Sequence, residues 1–308
     1  MKDPTEIAIG GKRLTVSNLD KVLYPQAQFT KGQVIDYYVQ VAPVLLPHLK
    51  DRPLTLKRYP NGVDREFFYE KRCPEFRPRW VETASLWSKT NEGKISYCLA
   101  NNLATLIWAA NLADLELHTS LARHQKPDRP TMMVFDLDPG PGTDILDCAE
   151  AGIWIRDLLK EMKLESLPKT SGSKGLQIYV PLNTNVTFGE TKRFSRALAD
   201  GLAKQKPDKI VAQMSKQLRQ DKVFIDWSQN DVHKTTVCAY SLRAKEKPMV
   251  SMPLPWREVE QALKSRSSKK LSFDSAEAMK RVHRLGDLFA PVLTLKQKLP
   301  ELRGIYDL

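Results

Sequence analysis

One segment constrains the fold of this chain more than any other: Met132-Met133-Val134-Phe135-Asp136-Leu137-Asp138-Pro139-Gly140. The apolar run reads as a buried strand. Residues two apart on a strand share a face, so Asp136 and Asp138 stand side by side while Phe135 and Leu137 turn the other way. Pro139-Gly140 then ends the strand. Two carboxylates held this close repel each other and bind protons more tightly unless a cation sits between them. A hard divalent ion such as Mg²⁺ or Mn²⁺ resolves that conflict; two solvated acids on an exposed strand end are the simpler alternative. A third acid lies in Val223-Phe224-Ile225-Asp226-Trp227. An unpaired carboxylate inside an apolar strand costs several kcal/mol of desolvation (about 2–7 for a polar group without a partner), so Asp226 needs a hydrogen bond, a cation or a metal. Together the three acids have the composition of a two-metal site for phosphoryl displacement.

Around this segment the pattern alternates between helical and extended periods. Short strands and turns run to Tyr24-Pro25, and Thr30 offers an N-cap before the amphipathic run Val34, Ile35, Tyr38, Val41 and Ala42. Leu54–Tyr59 reads as a strand closed by Pro60-Asn61-Gly62, and 66–79 as a basic, aromatic loop. The Ala/Leu/Ile-rich stretch 97–114 reads as a buried helix, and Leu115–His118 as a strand. The second half predicts helices near 143–163 and 189–204, strands at Leu176–Leu182, Val223–Trp227 and Thr236–Leu242, and closing helices near 256–263 and 276–285. Interleaved elements indicate α/β or α+β layers. Several strands lie too close in sequence for βαβ crossovers, so the sheets are expected to be mixed. The boundary between two lobes falls near residue 130, giving about 1–130 and 131–308.

The 308 residues carry a formal net charge of +12, which points to a polyanionic partner. No apolar run approaches the roughly 20 residues that span a bilayer, and the first residues lack the apolar stretch of a signal peptide. Cys73, Cys98, Cys148 and Cys238 show no metal-site spacing and read as reduced, packed thiols of a cytoplasmic protein.

Further residues fit phosphate chemistry. Thr170-Ser171-Gly172-Ser173-Lys174-Gly175 precedes a strand, unlike a Walker A loop, yet supplies backbone N–H groups, hydroxyls and an ammonium. Arg219 precedes the Asp226 strand, and Arg243 and Lys245 follow Tyr240-Ser241-Leu242 at alternate positions, as though sharing a face. Phe67, Phe68 and Tyr69 lie among charges, as in platforms that stack nucleic-acid bases. Alternation allows only one of Phe67 and Phe68 to turn inward.

With these residues assembled, the chain resembles, over nearly its whole length, the polymerase domain of bacterial DNA ligase D, in the archaeo-eukaryotic primase superfamily. The matching elements are Ser17-Asn18-Leu19-Asp20-Lys21, Arg58-Tyr59-Pro60-Asn61-Gly62, Phe67-Phe68, Leu117-His118, Phe135–Gly140, Ser171–Gly175, Ile225–Asn230 and Tyr240–Lys245. The resemblance implies a primase-polymerase fold, with two lobes around one catalytic cleft in a single domain of residues 1–308. It implies template-directed nucleotidyl transfer in non-homologous end joining. Asp136, Asp138 and Asp226 match the acids that bind two divalent ions, Mn²⁺ or Mg²⁺. Lys57, His118, Ser171, Lys174, Arg219, Gln229, Arg243 and Lys245 match positions that contact an incoming NTP or dNTP, with ribonucleotides favoured. Asn18, Lys21 and Lys31 match a pocket for the 5′-phosphate of gapped or broken DNA, and Phe67 and Phe68 a pair that stacks on template bases.

In the family Arg-x-Arg is frequent where this chain has Arg243-Ala244-Lys245, which keeps the charge but loses one planar fork. A monomer with no membrane association and a nucleoid-associated cytoplasmic location is expected; Ku and a DNA ligase are candidate partners that the sequence leaves open. Two rival functions stay open on the residues alone. One is a metal-dependent glycosyltransferase, since D-x-D also holds Mn²⁺ with a sugar nucleotide. The other is a catalytically idle DNA-end-binding module.

Overall fold

A computed structural model of the chain describes residues 4–88 and 91–301. It divides into two units, each with its own core. Unit 1 comprises Met1–Gln125, Thr235–Ser251 and Phe273–Asp287; unit 2 comprises Lys126–Lys234, Met252–Ser272 and Leu288–Leu308. The chain passes from unit 1 to unit 2 after Gln125 and returns twice to unit 1.

Unit 1 opens with the hairpin β1 (Thr5–Ile9) and β2 (Lys12–Val16), then the short pair β3 (Val22–Tyr24) and β4 (Phe29–Thr30). Helix α1 (Lys31–Leu49) starts at Thr30, whose hydroxyl accepts from Gln33 N while the Gln33 side chain accepts from Thr30 N. That reciprocal cap satisfies two of the helix's unpaired N–H groups. There follow β5 (Pro53–Arg58), β6 (Phe68–Glu70), β7 (Thr83–Ser88), β8 (Gly93–Leu99), α2 (Leu103–Asn111) and β9 (Asp114–Thr119). The stretch read as one helix is therefore the end of a strand, a turn and a shorter helix. Cys98 and Leu99 pair with Leu54 and Pro53, and Asn102 caps α2 by accepting from Thr105 N. Strand pairing overrides the apolar run's helical character because β5 leaves that edge to be filled.

Unit 2 contains β10 (Met132–Pro139), α3 (Ile145–Glu161), β11 (Leu167–Thr170), β12 (Leu176–Pro181), α4 (Phe188–Gln205), β13 (Ile210–Val211) and β14 (Val223–Asp226). Its sheet has the order β11-β12-β10-β14-β13, antiparallel except for β13 beside β14, so it is mixed as expected. Helix α3 approaches the face bearing Leu137, Leu176 and Ile178, where Gly152 makes room: a Cβ there would lie 3.1 Å from Leu176.

Returning to unit 1, β15 (Thr236–Val237) pairs with β9, and β16 (Leu242–Ala244) pairs with β17 (Pro248–Val250). A continuous strand over Thr236–Leu242 is not formed, because Tyr240 takes φ 65° and turns the chain between them. The central sheet has the order β15-β9-β5-β8-β7, with β6 beside the end of β5. Helix α5 (Trp256–Lys264) belongs to unit 2, α6 (Ser275–Leu285) to unit 1 and α7 (Pro291–Thr294) to unit 2. Among the described residues no helix is long and apolar enough to cross a membrane.

The cysteines depart from expectation. Cys148 and Cys238 are buried outside any disulfide, but Cys73 and Cys98 form one with Cα atoms 5.0 Å apart. Cys73 N donates to Ser96 O, which lays the segment after β6 along β8. That contact between distant segments has no signature in cysteine spacing.

Candidate active-site residues in the two units

In unit 2 the acids are placed by strand register. Asp136 of β10 lies directly opposite Asp226 of β14 on one side and Gln177 of β12 on the other, and Gln177 lies opposite Lys169 of β11. One row across four strands thus reads Asp226, Asp136, Gln177, Lys169, with Asp138 two residues further along the same face. This face is opposite the one that Leu137 and Leu176 present to α3. Lys169 is fully buried, hydrogen-bonded to Gln177 Oε1 and set over the Tyr179 ring. Burial, then the charges of Asp138 and Asp226, push the Asp136 carboxyl up to about 7, against a hydrogen bond from Gln177 and the Lys169 charge.

The third acid is spoken for. Asp226 Oδ1 accepts from Ser228 N at 2.9 Å and Ser228 Oγ at 2.5 Å, and Oδ2 from Gln229 Nε2 at 2.8 Å. Lys234 reaches the Ser228 hydroxyl. Among the described residues no group of three or more His, Cys, Asp or Glu side chains is already drawn together as metal ligands. The donor set nevertheless suits a hard divalent cation: it is all oxygen, strand-mounted, and carries mutual repulsion that such an ion would relieve. Asn230 steadies the row by accepting from Val134 N and donating to Val134 O, extending β10's hydrogen bonding with a side chain.

The Ser-Gly loop is less open than its composition indicates. Ser171 Oγ accepts from Ser173 N and Gly175 N, and Ser171 N donates to Gly175 O, so these groups are used within the loop. Lys174 is exposed. Gly175 passes so near β10 that a Cβ would lie 2.1 Å from Leu137 O. Arg219 ends a 3₁₀ turn, Lys216–Arg219, with its guanidinium 3.7 Å above the Phe224 ring and one N–H donated to Met214 O.

In unit 1 a β-bulge between Lys57 and Arg58 shifts the register of β5 against β9. Asp114 Oδ1 accepts from Lys57 N there at 2.7 Å. The Lys57 ammonium sits 5.3, 4.5 and 5.5 Å from the Tyr59, Phe67 and Tyr69 ring centres. It also lies 3.2 Å from Glu116 Oε2. The same oxygen lies 3.1 Å from His118 Nε2 and 3.2 Å from Arg243 Nε. Glu116 Oε1 accepts from Ala244 N at 3.1 Å and Tyr59 OH at 3.4 Å. Burial pushes Glu116 up, but the His118 hydrogen bond and the Arg243 and Lys57 charges outweigh it and hold the carboxyl well below the usual range. Burial lowers His118, with Glu116 pulling the other way.

Three sequence-predicted residues, Lys57, His118 and Arg243, are therefore gathered by one that motif reading missed. The available signal was alternation, which puts Glu116 on the same face as His118. Strand β16 ends at Ala244, and Lys245 N turns back to Arg243 O on an exposed corner, so the alternate spacing does not continue.

Neither Phe67 nor Phe68 turns inward: they are 49% and 43% exposed, and Tyr69 56%. Each phenyl ring instead covers a cation, Phe67 over Lys57 and Phe68 over Arg58 at 5.1 Å, while Arg58 is ion-paired with Glu70 at 2.8 Å. Asn18, Lys21 and Lys31 do meet. Asn18 takes φ 53° in a turn closed by Lys21 N→Asn18 O, and Lys31 N donates to Lys21 O at the start of α1. The Lys21 ammonium donates to Asn61. Burial, then the Lys21 charge, brings Lys31 down to about 8.

Comparison with known proteins identifies the family. Residues 30–289 match the LigD primase-polymerase domain family. The multifunctional non-homologous end joining protein LigD of Mycolicibacterium smegmatis is 39% identical over 301 residues, covering 96% of this chain and 38% of that protein. The bifunctional LigD of Bacillus subtilis is 32% identical over 252 residues, 82% of this chain and 40% of that one. The chain thus spans about two-fifths of the length of these relatives. A solved structure of the polymerase domain of Mycobacterium tuberculosis ligase D in complex with DNA is similar with a TM-score of 0.84 and 35% identity, over 92% of this chain and 99% of that one. Its mixed α/β fold, strand-mounted acids and matched sequence make this chain a member of the LigD primase-polymerase domain family.

Proposed function

We propose that the chain is a DNA-dependent nucleotidyltransferase that fills gaps and extends 3′ ends during non-homologous end joining, working as one polymerase domain. The observation that carries this reading is the strand register that sets Asp226 opposite Asp136, with Asp138 on the same face. Family membership supports it and does not favour a glycosyltransferase or an idle end-binding module.

LigD polymerase domains are metal-dependent in general, and Asp136, Asp138 and Asp226 are the residues that would hold two divalent ions, Mn²⁺ or Mg²⁺. Such ions supply a lowered pKa for the attacking 3′-hydroxyl and neutralise charge on the phosphates. Gln177 and Ser228 orient the carboxylates; Gln229 holds Asp226 and stands beside the nucleotide. Lys57, His118, Ser171, Lys174, Arg219, Arg243 and Lys245 bind the NTP or dNTP, with ribonucleotides preferred. Asn18, Lys21 and Lys31 hold a DNA 5′-phosphate at the start of α1, where helix N–H groups favour an anion. Exposed Phe68 stacks on template bases, and Phe67 shares that role while covering Lys57. The protein acts as a monomer at broken DNA in the cytoplasm, with Ku and a DNA ligase as partners.

The test is single-nucleotide incorporation on a gapped, 5′-phosphorylated duplex with Mn²⁺ or Mg²⁺ and either NTPs or dNTPs. Incorporation abolished by Asp136→Ala is expected. No incorporation by the parent protein, or full activity in the variant, removes the proposal. DNA affinity that falls steeply with salt is the accompanying expectation.

A further inference from the structure

Glu116 lies in none of the motifs that mark this chain, yet it is 1% exposed and meets Lys57, His118, Arg243, Tyr59 and the backbone N–H of Ala244. Its partners come from three strands, β5, β9 and β16, and from the turn after β5. Lys57 and Arg243 are themselves only 12% and 15% exposed at the side chain. Two fixed cations against one carboxylate leave this cluster with excess positive charge and its side chains already immobilised.

We propose that Glu116 is a positioning residue for the nucleotide. One carboxylate oxygen holds Lys57, His118 and Arg243 in a single arrangement, ready to receive a triphosphate. This rests on the reading of those three residues as nucleotide contacts. Two effects oppose each other when Glu116 is neutralised. Loss of a negative charge favours a polyanion, whereas loss of the common anchor lets two like-charged side chains separate into solvent. The second wins: Lys and Arg carry large rotamer entropies that Glu116 has already removed, and the ring wall around Lys57 only works with its ammonium in place.

The experiment is steady-state incorporation of one ribonucleotide by Glu116→Gln, alongside equilibrium binding of a fluorescent ribonucleoside triphosphate without DNA. KM and the dissociation constant should both rise about tenfold or more, with kcat within about threefold of the parent, the split produced by lost binding. A purely structural role would lower the active fraction, reducing kcat at unchanged KM, and that result overturns the proposal. Glu116→Asp keeps the charge one methylene short and threatens folding less; it should raise KM by about threefold. A parental KM in that variant counts against the role as well. Combined with Lys57→Met, Glu116→Gln should raise KM by less than the product of the two single effects. The full product would mean that Glu116 does not act through Lys57. A parent protein that incorporates nothing removes both this role and the proposed function, whereas an active parent with an indifferent Glu116→Gln removes this role alone.

Discussion

Replacing Asp136 by Asn should stabilise the metal-free protein above neutral pH, although it abolishes the proposed activity. Asp136 sits between Asp226 and Gln177 on the sheet, with Asp138 beside it. Burial and the two neighbouring carboxylates raise its carboxyl from 3.8 to about 7. A carboxyl whose folded-state value lies above its unfolded one binds its proton more tightly when folded. Its penalty is absent below about pH 4, grows through pH 4–7, and is complete above about pH 7. At about 1.36 kcal/mol per pH unit, the ceiling is about 4 kcal/mol. Asp136 is partly exposed, so solvent screening brings the expected gain of Asp136→Asn at pH 8 to about 2–4 kcal/mol. At pH 4 the gain should vanish. The Asn oxygen can still accept from Gln177, and its amide can donate towards Asp226.

Urea unfolding in EDTA at both pH values measures the difference, with the titrations of groups remote from Asp136, Asp138 and Asp226 cancelling between parent and variant. Mn²⁺ should stabilise the parent at pH 8 by binding the folded state, and the variant much less. An Asn variant no more stable than the parent at pH 8, or equally stabilised at pH 4, would refute the account of crowded carboxylates.

Lys31 provides a second pH dependence of opposite kind. Its ammonium titrates near 8 and is charged below that value. Preference for a 5′-phosphate over a 5′-hydroxyl end should therefore fall by up to about tenfold from pH 7 to pH 9. Lys31→Arg should flatten the profile, and a flat profile in the parent would disconnect Lys31 from the phosphate. Gly140→Ala should destabilise by about 3 kcal/mol, the upper range for overpacking, where an unconstrained glycine would gain stability from the same change. The added Cβ would lie 1.8 Å from Arg219 O and 2.7 Å from Lys222 O; a neutral result in urea unfolding would show that the strand end is not clamped there.

Local features were legible because they depend on neighbours in sequence. The Thr30 cap, the alternation of Asp136 and Asp138 with Phe135 and Leu137, and the helix and strand periods of β10, α3, β12 and α4 all appear where the residues put them. Competition between segments was not legible. The apolar stretch 97–114 carries a helical composition throughout, yet its first residues complete a sheet edge beside β5. Thr236–Leu242 reads as one strand until Tyr240 turns, its carbonyl accepting from Tyr37 OH and its own OH donating to Asp287. For Phe67 and Phe68, alternation ruled out two inward rings but could not foresee two outward ones, each covering a cation from β5.

The sequence by itself thus determined which chemistry is present: three acids on apolar strands, scattered cations, aromatics set among charges, and the family they jointly mark. Only the tertiary structure decided which of them meet. It set Asp226 opposite Asp136 by register and supplied Lys169 and Gln177 at the far end of the same row. It also gathered Lys57, His118 and Arg243 on Glu116. The physical reason is that periodicity fixes the face on which a side chain stands, whereas partners across a sheet are fixed by pairing energies summed over whole strands.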